Sequence, residues 1–224
     1  MAIPGLSQAD FERVLNEYVR PSSPIESFEH LVGRQRQLEK IEEAVNSPGR
    51  HVFIYGDRGA GKTSLARTAV FFFNDAAGAA IYTACGRGTS FASIVRDIVS
   101  QLDSRSELRT VDRSMSAGAK AFGVEGTYAE TEKQKSLDNL DLNAATAAIN
   151  ESASRRGGRS IVVVDEFENL PTVDDRHLFA ELIKQLSDRG VPVALVFCGI
   201  GKSLDQLLQG HNSAHRYLEE ISLP

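Results

Sequence analysis

The sequence predicts a three-layer α/β domain, in which a parallel central sheet of about five strands lies between helices on both faces. Short apolar runs rich in β-branched residues recur along the 224 residues, and they are nearly continuous in apolarity, as strands buried on both faces are. Segments with helical spacing of apolar residues lie between these runs. A glycine-rich loop follows the first run. This alternation is typical of consecutive parallel strands connected by helices.

Residues 1–27 are expected to form a helical lead-in to one larger domain, which spans residues 28–224. Ser7-Gln-Ala-Asp10 resembles a capping box at a helix start. Apolar residues then follow at helical spacing, at Phe11, Val14, Leu15 and Tyr18. Pro21-Ser-Ser-Pro24 ends this helix, because proline cannot continue the helical hydrogen bonding. A second helix is predicted around Leu38, Ile41 and Val45, and it ends at Ser47-Pro-Gly49.

Four short apolar runs predict the core strands, at residues 51–55, 79–83, 160–164 and 193–197. A further strand is expected after Arg216, near the end of the sequence. Helical spacing is clearest over residues 91–102 and 178–186, and the second of these helices ends at Gly190. Residues 103–136 break the alternation, because polar residues and glycine dominate there. We expect an insertion or a mobile loop in this stretch.

The composition indicates a soluble, cytoplasmic protein. No apolar stretch approaches the length needed to cross a bilayer, and the N-terminus lacks the regions of a secretory signal. Cys85 and Cys198 stand far apart, which predicts neither a disulfide framework nor a zinc site. A net charge of -5 argues against nucleic-acid binding through bulk electrostatics. The cations of residues 155–159 are expected to cap a helix end, with a subunit or nucleic-acid contact as the alternative.

Gly56-Asp-Arg-Gly-Ala-Gly-Lys-Thr63 matches the Walker A pattern, and it lies between an apolar strand and an amphipathic helix, as that motif requires. Glycines let backbone N–H groups converge on phosphate oxygens, and the helix directs its positive end at the same phosphates. Lys62 is expected to reach the β- and γ-phosphates of ATP, and Thr63 to bind Mg²⁺. The residues expected to contact ATP or ADP here are Gly56, Arg58, Gly59, Ala60, Gly61, Lys62, Thr63 and Ser64.

Two acidic residues, Asp165 and Glu166, follow the apolar run of residues 160–164. Open α/β sheets bind ligands outside the carboxyl ends of their strands, so this pair is expected beside the phosphate site. Asp165 is then the Walker B acid near Mg²⁺, and Glu166 is the candidate catalytic residue that orients the attacking water. The alternative is that both are solvated acids at the start of a loop.

In this order, the two motifs resemble those of the AAA+ ATPases. The resemblance extends over roughly residues 28–224, and it includes a further strand at Val193-Ala-Leu-Val-Phe-Cys-Gly199 and the segment from His215 to Pro224. The archaeal origin-recognition initiators and the bacterial STAND-like ATPases have the most similar pattern. The resemblance implies a P-loop NTPase sandwich that binds ATP and Mg²⁺ and forms homo-oligomers.

Two further groups of site residues are implied by this resemblance alone. Val32, Gly33 and Arg34 match the family segment that lies along the adenine, where the alternative is an ordinary entry into a helix. Arg216 matches the position of a catalytic arginine finger, which reaches the γ-phosphate bound by a neighbouring subunit. The alternative for Arg216 is a solvated arginine at a helix end.

The sequence departs from the family pattern at two places. The sensor strand commonly ends in a polar residue, whereas this chain has Cys198-Gly199, and a thiol is a weak hydrogen-bond donor. Slow hydrolysis, or a switch that mainly holds ATP, is therefore expected. The family also carries a helical lid after the last strand, and with the sequence ending at Pro224 we expect that lid to be absent.

The function expected from these observations is that of an ATP-binding and ATP-hydrolysing core, in an oligomerising AAA+ or STAND-type switch protein. A first alternative is a nucleotide-gated binding module with little catalysis. A second is a small-molecule kinase, in which residues 103–136 would supply a lid. A partner protein or DNA would be bound through regions outside this chain, and the fold does not determine the biological pathway.

Overall fold

The computed structural model describes residues 33–73, 78–114, 140–210 and 214–224, with side chains only as far as Ser104 in the helix that ends at Ser114. The expected lead-in at residues 1–27 and Val32 lie outside the described residues. Of the expected insertion at residues 103–136, the structure describes the first part, and residues 103–114 are helical. No helix in these described ranges is both long and apolar enough to span a bilayer.

Five parallel strands form the central sheet, which confirms the predicted fold class. Their order is β2-β3-β4-β1-β5, and every neighbouring pair is parallel. The strands are β1 (His51–Gly56), β2 (Ala80–Ala84), β3 (Ser160–Asp165), β4 (Val193–Gly199) and β5 (Leu218–Leu223). The interior strands β3 and β4 are buried along their whole length, which explains their nearly continuous apolar sequences.

Helices cover both faces of the sheet and complete the three layers. They are α1 (Gln35–Asn46), α2 (Lys62–Phe73), α3 (Phe91–Ser114), α4 (Leu142–Ser154), α5 (Val173–Asp188) and α6 (Gly201–Gly210). The apolar residues of α1 and α2 form one core cluster with one sheet face. Those of α3, α4, α5 and α6 form the second cluster with the opposite face. The glycine-rich loop between β1 and α2 follows the last residue of β1, so it lies at the carboxyl ends of the strands.

A group of buried phenylalanines fixes the segment that follows β3. Phe167 packs edge-on against Phe53, Phe179 and Phe197, with ring centroids 5.0 to 5.6 Å apart. Phe167 begins a short 3₁₀ turn that ends at Asn169. Aromatic pairs at such distances contribute stabilisation beyond the burial of their area. The residue next to Phe167, Glu166, is therefore attached to a rigid part of the core.

Candidate functional site

The loop between β1 and α2 has the backbone conformation of a phosphate-binding loop. Gly59 and Gly61 have φ angles of 88° and 87°, a region that glycine adopts without strain. Gly56 has a different requirement, because a Cβ there would lie 2.3 Å from the carbonyl oxygen of Leu223 in β5. Helix α2 begins directly at Lys62, so the N–H groups of its first turn, which have no acceptors within the helix, lie at the end of this loop.

The side chain of Lys62 lies across the same loop. Its Nζ atom donates hydrogen bonds to the carbonyl oxygens of Gly56, at 3.0 Å, and Asp57, at 2.9 Å. Arg58 is exposed in the loop, and Ser64 is half-buried in the first turn of α2. The ammonium group is thus held beside the loop by two neutral acceptors.

The segment before α1 also reaches the loop. The guanidinium of Arg34 donates to the carbonyl oxygen of Ala60 at 3.3 Å, so the start of α1 is connected to the loop over 26 residues of sequence. Gly33 is exposed and has a φ of 79°. Val32, the third residue expected along the adenine, lies outside the described residues. Of these three residues, Arg34 is thus shown to contact the loop.

Asp165, the last residue of β3, is only 3% exposed and accepts three hydrogen bonds. Its Oδ2 atom accepts from the Thr63 hydroxyl at 2.8 Å and from the Tyr82 hydroxyl at 2.6 Å. Its Oδ1 atom accepts from the backbone N–H of Glu166 at 2.8 Å. Thr63 and Asp165, which are 102 residues apart in sequence, therefore meet at the carboxyl edge of the sheet. Tyr82 was not identified from the sequence.

Glu166 has an unusual backbone conformation and an exposed side chain. Its φ of 54° is the sole positive value at a non-glycine residue in the part of the chain that the structure describes. A left-handed conformation at such a residue costs about 1 to 3 kcal/mol, and it is common at functional sites. The carboxylate accepts a hydrogen bond from Asn169 Nδ2 at 3.0 Å, and the same nitrogen donates to the carbonyl oxygen of Cys85 at 3.0 Å. Asn169 is a second site residue that sequence reasoning missed.

Arg176 fixes the turn that carries Glu166 and Asn169. Its guanidinium is buried and donates hydrogen bonds to three backbone carbonyls at Glu168, Leu170 and Thr172. Arginine suits this role because its several N–H groups have a fixed planar geometry. The turn after β3 is consequently attached both to the aromatic core and to α5.

The end of β4 carries a thiol where a stronger hydrogen-bonding group was expected from the resemblance. Cys198 is fully buried, and its Sγ atom lies 3.9 Å from the carbonyl oxygen of Lys62. Burial, and next the charge of Asp165, raise the pKa of this thiol well above its usual value. The thiol therefore remains protonated and is a weak donor beside the loop.

Arg216 lies near the amino ends of the strands, whereas the loop lies at their carboxyl ends. It ends a 3₁₀ turn before β5, its side chain is exposed, and its carbonyl oxygen accepts from Arg50 at 2.8 Å. Leu218, two residues later, aligns with His51 at the start of β1, whereas the loop follows the end of β1. The two ends of the sheet are therefore separated by the length of β1, which has six residues and rises by roughly 3.3 Å per residue. Arg216 is therefore remote from the loop of its own chain.

The arginines of the basic run at residues 155–159 include two that donate to backbone carbonyls of other segments. Arg159 donates to the carbonyl oxygens of Ser47, at 2.6 Å, and Arg50, at 3.0 Å, just after α1. Arg156 is buried and donates to the carbonyl oxygen of Leu102.

Among the residues that the structure describes, no group of three or more His, Cys, Asp or Glu side chains could hold a metal ion.

A parallel sheet in this order, with a glycine-rich loop after β1 and a buried acid at the end of β3, defines the class of P-loop nucleotide-binding proteins. A family model described as "AAA ATPase domain" matches residues 30–196, which is more than half of the chain. The chain therefore belongs to the AAA ATPase domain family. The resemblance to the AAA+ ATPases is confirmed.

Solved structures with the same fold come from several archaea. The Walker-type ATPase of Pyrococcus abyssi is 16% identical with a TM-score of 0.57, and the match covers 90% of this chain and 56% of that one. Cdc6p from Pyrobaculum aerophilum is 19% identical with a TM-score of 0.56, covering 93% and 48%. The ORC2 protein of Aeropyrum pernix, in its ADP form, is 16% identical with a TM-score of 0.56, covering 95% and 52%.

These similarities establish the fold alone, because the sequence identities are below one fifth. The chain spans about half the length of each of the three proteins. No curated protein sequence gave a significant match. The roles of individual site residues therefore rest on the geometry of this chain.

Proposed function

We propose that this chain binds ATP together with Mg²⁺, hydrolyses the nucleotide, and couples its nucleotide state to assembly. The observation that carries the proposal is the 2.8 Å hydrogen bond between Thr63 and Asp165, directly beneath the glycine-rich loop. The two oxygen ligands expected for the metal are thereby adjacent to the residues expected to hold phosphate. A solvated pair of acids at a loop start would not require Asp165 to be buried.

The donor atoms present fit a magnesium ion. Mg²⁺ prefers hard oxygen ligands, and a hydroxyl and a carboxylate are both of this kind. An ionised carboxylate has about four acceptor positions, and Asp165 uses three of them, which leaves one on Oδ1 for a water molecule of the metal. When bound, Mg²⁺ would supply positive charge that neutralises the negative charge developing during phosphoryl transfer.

The loop and Lys62 would hold the triphosphate. Phosphate oxygens are charged acceptors, so they would replace the carbonyl oxygens of Gly56 and Asp57 as partners of the ammonium group. The amides of the first turn of α2 add a partial positive charge at the same place. Gly33 and Arg34, next to the loop, would contact the nucleoside.

Glu166 would act on the attacking water. Its exposed carboxylate would accept a proton from water as the water oxygen attacks the γ-phosphorus, and the bond to the β-phosphate oxygen breaks to leave ADP and phosphate. The hydrogen bond from Asn169 holds this carboxylate on the rigid turn after β3. The strained backbone of Glu166 supports a functional role for its position.

Arg216 would act on the γ-phosphate bound by a neighbouring subunit. Its exposed side chain at the opposite edge of the sheet is too far from the loop of its own chain, which supports a role in trans. An arginine supplied in this way can raise turnover by about a thousandfold or more, because it neutralises charge on the transferring group. Assembly would then be required for efficient hydrolysis.

The proposal is tested by phosphate release from the full chain over a dilution series and from mixtures of two variants. The Lys62→Ala variant has an impaired site and an intact Arg216, whereas Arg216→Ala has the reverse. We expect phosphate release per subunit to fall on dilution, and the mixture to exceed the sum of the separate variants. Release that is independent of concentration, with no gain on mixing, contradicts the role in trans.

A nucleotide-gated binding module with little catalysis is the second candidate. The observation in its favour is the buried thiol of Cys198 at the end of β4, a weak hydrogen-bond donor beside the loop. This candidate predicts that Glu166→Gln leaves phosphate release at the same background rate as the unmodified chain. The hydrolytic proposal predicts a fall of about a hundredfold or more with ATP binding retained.

A further inference from the structure

Tyr82 lies outside the expected motifs and makes a short contact with the site. Its hydroxyl donates to Asp165 Oδ2 at 2.6 Å, a length typical of a charge-assisted hydrogen bond between a hydroxyl and a carboxylate. The same oxygen accepts from Thr63, while Oδ1 accepts from the N–H of Glu166. Asp165 Oδ2 thus accepts hydrogen bonds from both Tyr82 and Thr63, and Thr63 is expected to bind the metal.

The sheet register determines this contact. Tyr82 aligns with Val163 on the neighbouring strand, and Ala84 aligns with Asp165. Residues two apart on a strand point to the same face and are separated by about 6.6 Å. A tyrosine at this position is long enough to reach the carboxylate along the strand, whereas a shorter hydroxyl side chain would not.

Helix α2 contacts both partners of this hydrogen bond. Thr63 and Arg67 are four residues apart, so they lie on the same side of the helix. Thr63 contacts Asp165, and the guanidinium of Arg67 lies over the Tyr82 ring at 4.3 Å from its centroid. This distance is that of a cation–π interaction, which restricts the orientation of the ring. The phenol is therefore held in place by a second element.

We propose that Tyr82 is a positioning residue that orients the Asp165 carboxylate for the metal, an inference that rests on the proposed function. With Tyr82 bonded to Oδ2 and the Glu166 N–H bonded to Oδ1, the plane of the carboxylate is defined without Thr63. The Thr63 hydroxyl can then serve the metal while the carboxylate keeps its orientation. Outer groups of this kind fix the geometry of metal ligands and tune metal affinity.

The test compares the full chain with Tyr82→Phe and with the control Tyr217→Phe. The control also removes a tyrosine hydroxyl that donates to a carboxylate, that of Asp188 at 2.7 Å, but at the opposite edge of the sheet. Binding of a fluorescent ATP analogue is measured first in excess EDTA and then during a titration with Mg²⁺. Thermal unfolding without nucleotide is recorded for all three proteins.

We expect Tyr82→Phe to raise the Mg²⁺ concentration for half-maximal enhancement of binding by about tenfold or more, the usual effect of losing an outer-shell partner. Binding in EDTA stays close to that of the unmodified chain, and Tyr217→Phe leaves both binding measurements unchanged. The unfolding temperature of Tyr82→Phe falls by a few degrees, because a hydrogen bond to a buried carboxylate is lost. An unchanged Mg²⁺ titration overturns the role of Tyr82 alone. Equal losses with and without Mg²⁺ also overturn it, because they indicate a purely structural role. Failure of the unmodified chain to bind nucleotide refutes the proposed function instead.

Discussion

His51, at the start of β1, is expected to make the stability of this domain sensitive to mild acid. The imidazole is fully buried, its Nδ1 atom accepts a hydrogen bond from the Leu195 N–H at 3.0 Å, and its Nε2 atom lies 3.1 Å from Ser187 Oγ. The Nδ1 atom must therefore be unprotonated, and Nε2 carries the proton. A second proton on Nδ1 would face the N–H of Leu195.

The size of the effect follows from the shift in pKa. Burial, and next the charges of Arg159 and Arg50, lower the pKa of His51 from 6.5 to about 3. Below pH 6.5, His51 takes up a proton in the unfolded chain but stays neutral in the folded chain. The contribution of His51 to the free energy of unfolding is therefore fully present above this pH and is lost progressively towards pH 3. Between pH 7 and pH 5 the loss amounts to about 2 kcal/mol.

Urea unfolding at pH 7 and pH 5 measures this loss, with His51→Asn as the matched variant. The asparagine oxygen can accept from the Leu195 N–H but does not titrate, and all other acidic and basic groups are shared. We expect the unmodified chain to lose about 2 kcal/mol more than the variant between the two pH values. An equal loss in both proteins would refute the account of a buried neutral imidazole.

Two further substitutions test the packing around the site. Gly56→Ala is expected to destabilise the domain by about 1 to 3 kcal/mol in thermal unfolding, because the new Cβ would lie 2.3 Å from the backbone oxygen of Leu223; an unchanged unfolding temperature would contradict this. Arg159→Met is expected to cost about 1.5 to 3 kcal/mol in urea unfolding, since it removes two hydrogen bonds to carbonyls after α1, whereas the exposed Arg155→Met costs little. Similar costs for both arginines would show that the capping bonds contribute nothing specific.

The strands and the two motifs could be predicted from the sequence because each has a strong local signal. Strands β3 and β4 are buried on both faces, so nearly every residue in them is apolar. The Walker A pattern requires glycine at positions 56 and 61, and the structure explains both: a Cβ at Gly56 would lie 2.3 Å from the carbonyl oxygen of Leu223, and Gly61 has a φ of 87°. Such features can be recognised from a few consecutive residues.

The bounds of helix α4 were not predicted from the sequence because small residues form its buried face. Ala145, Ile149 and Ala153 are fully buried at intervals of four, but only Ile149 is a large apolar residue, so the helical spacing is weak in sequence. Asp141 caps the start of this helix, because its side chain accepts a hydrogen bond from the Ala144 N–H at 2.7 Å. That capping signal was present in the sequence and could have located the helix.

The contacts of Tyr82 and Asn169 could not be predicted because they depend on tertiary structure. Tyr82 reaches Asp165 only through the pairing register of β2 with β3, and 83 residues separate the two in sequence. Asn169 reaches Glu166 because a 3₁₀ turn and the left-handed conformation of Glu166 bring the side chains together. Neither residue belongs to a motif with a fixed spacing.

Calorimetric titration of the full chain with ATP, in the presence and absence of Mg²⁺, examines most directly whether the loop and Asp165 form one site. We predict that the unmodified chain binds ATP and that Mg²⁺ strengthens this binding. Lys62→Ala gives no detectable heat. Asp165→Ala still binds ATP, but its affinity does not respond to Mg²⁺. Equal affinities for all three proteins, or no heat from the unmodified chain, would contradict the assignment of this site.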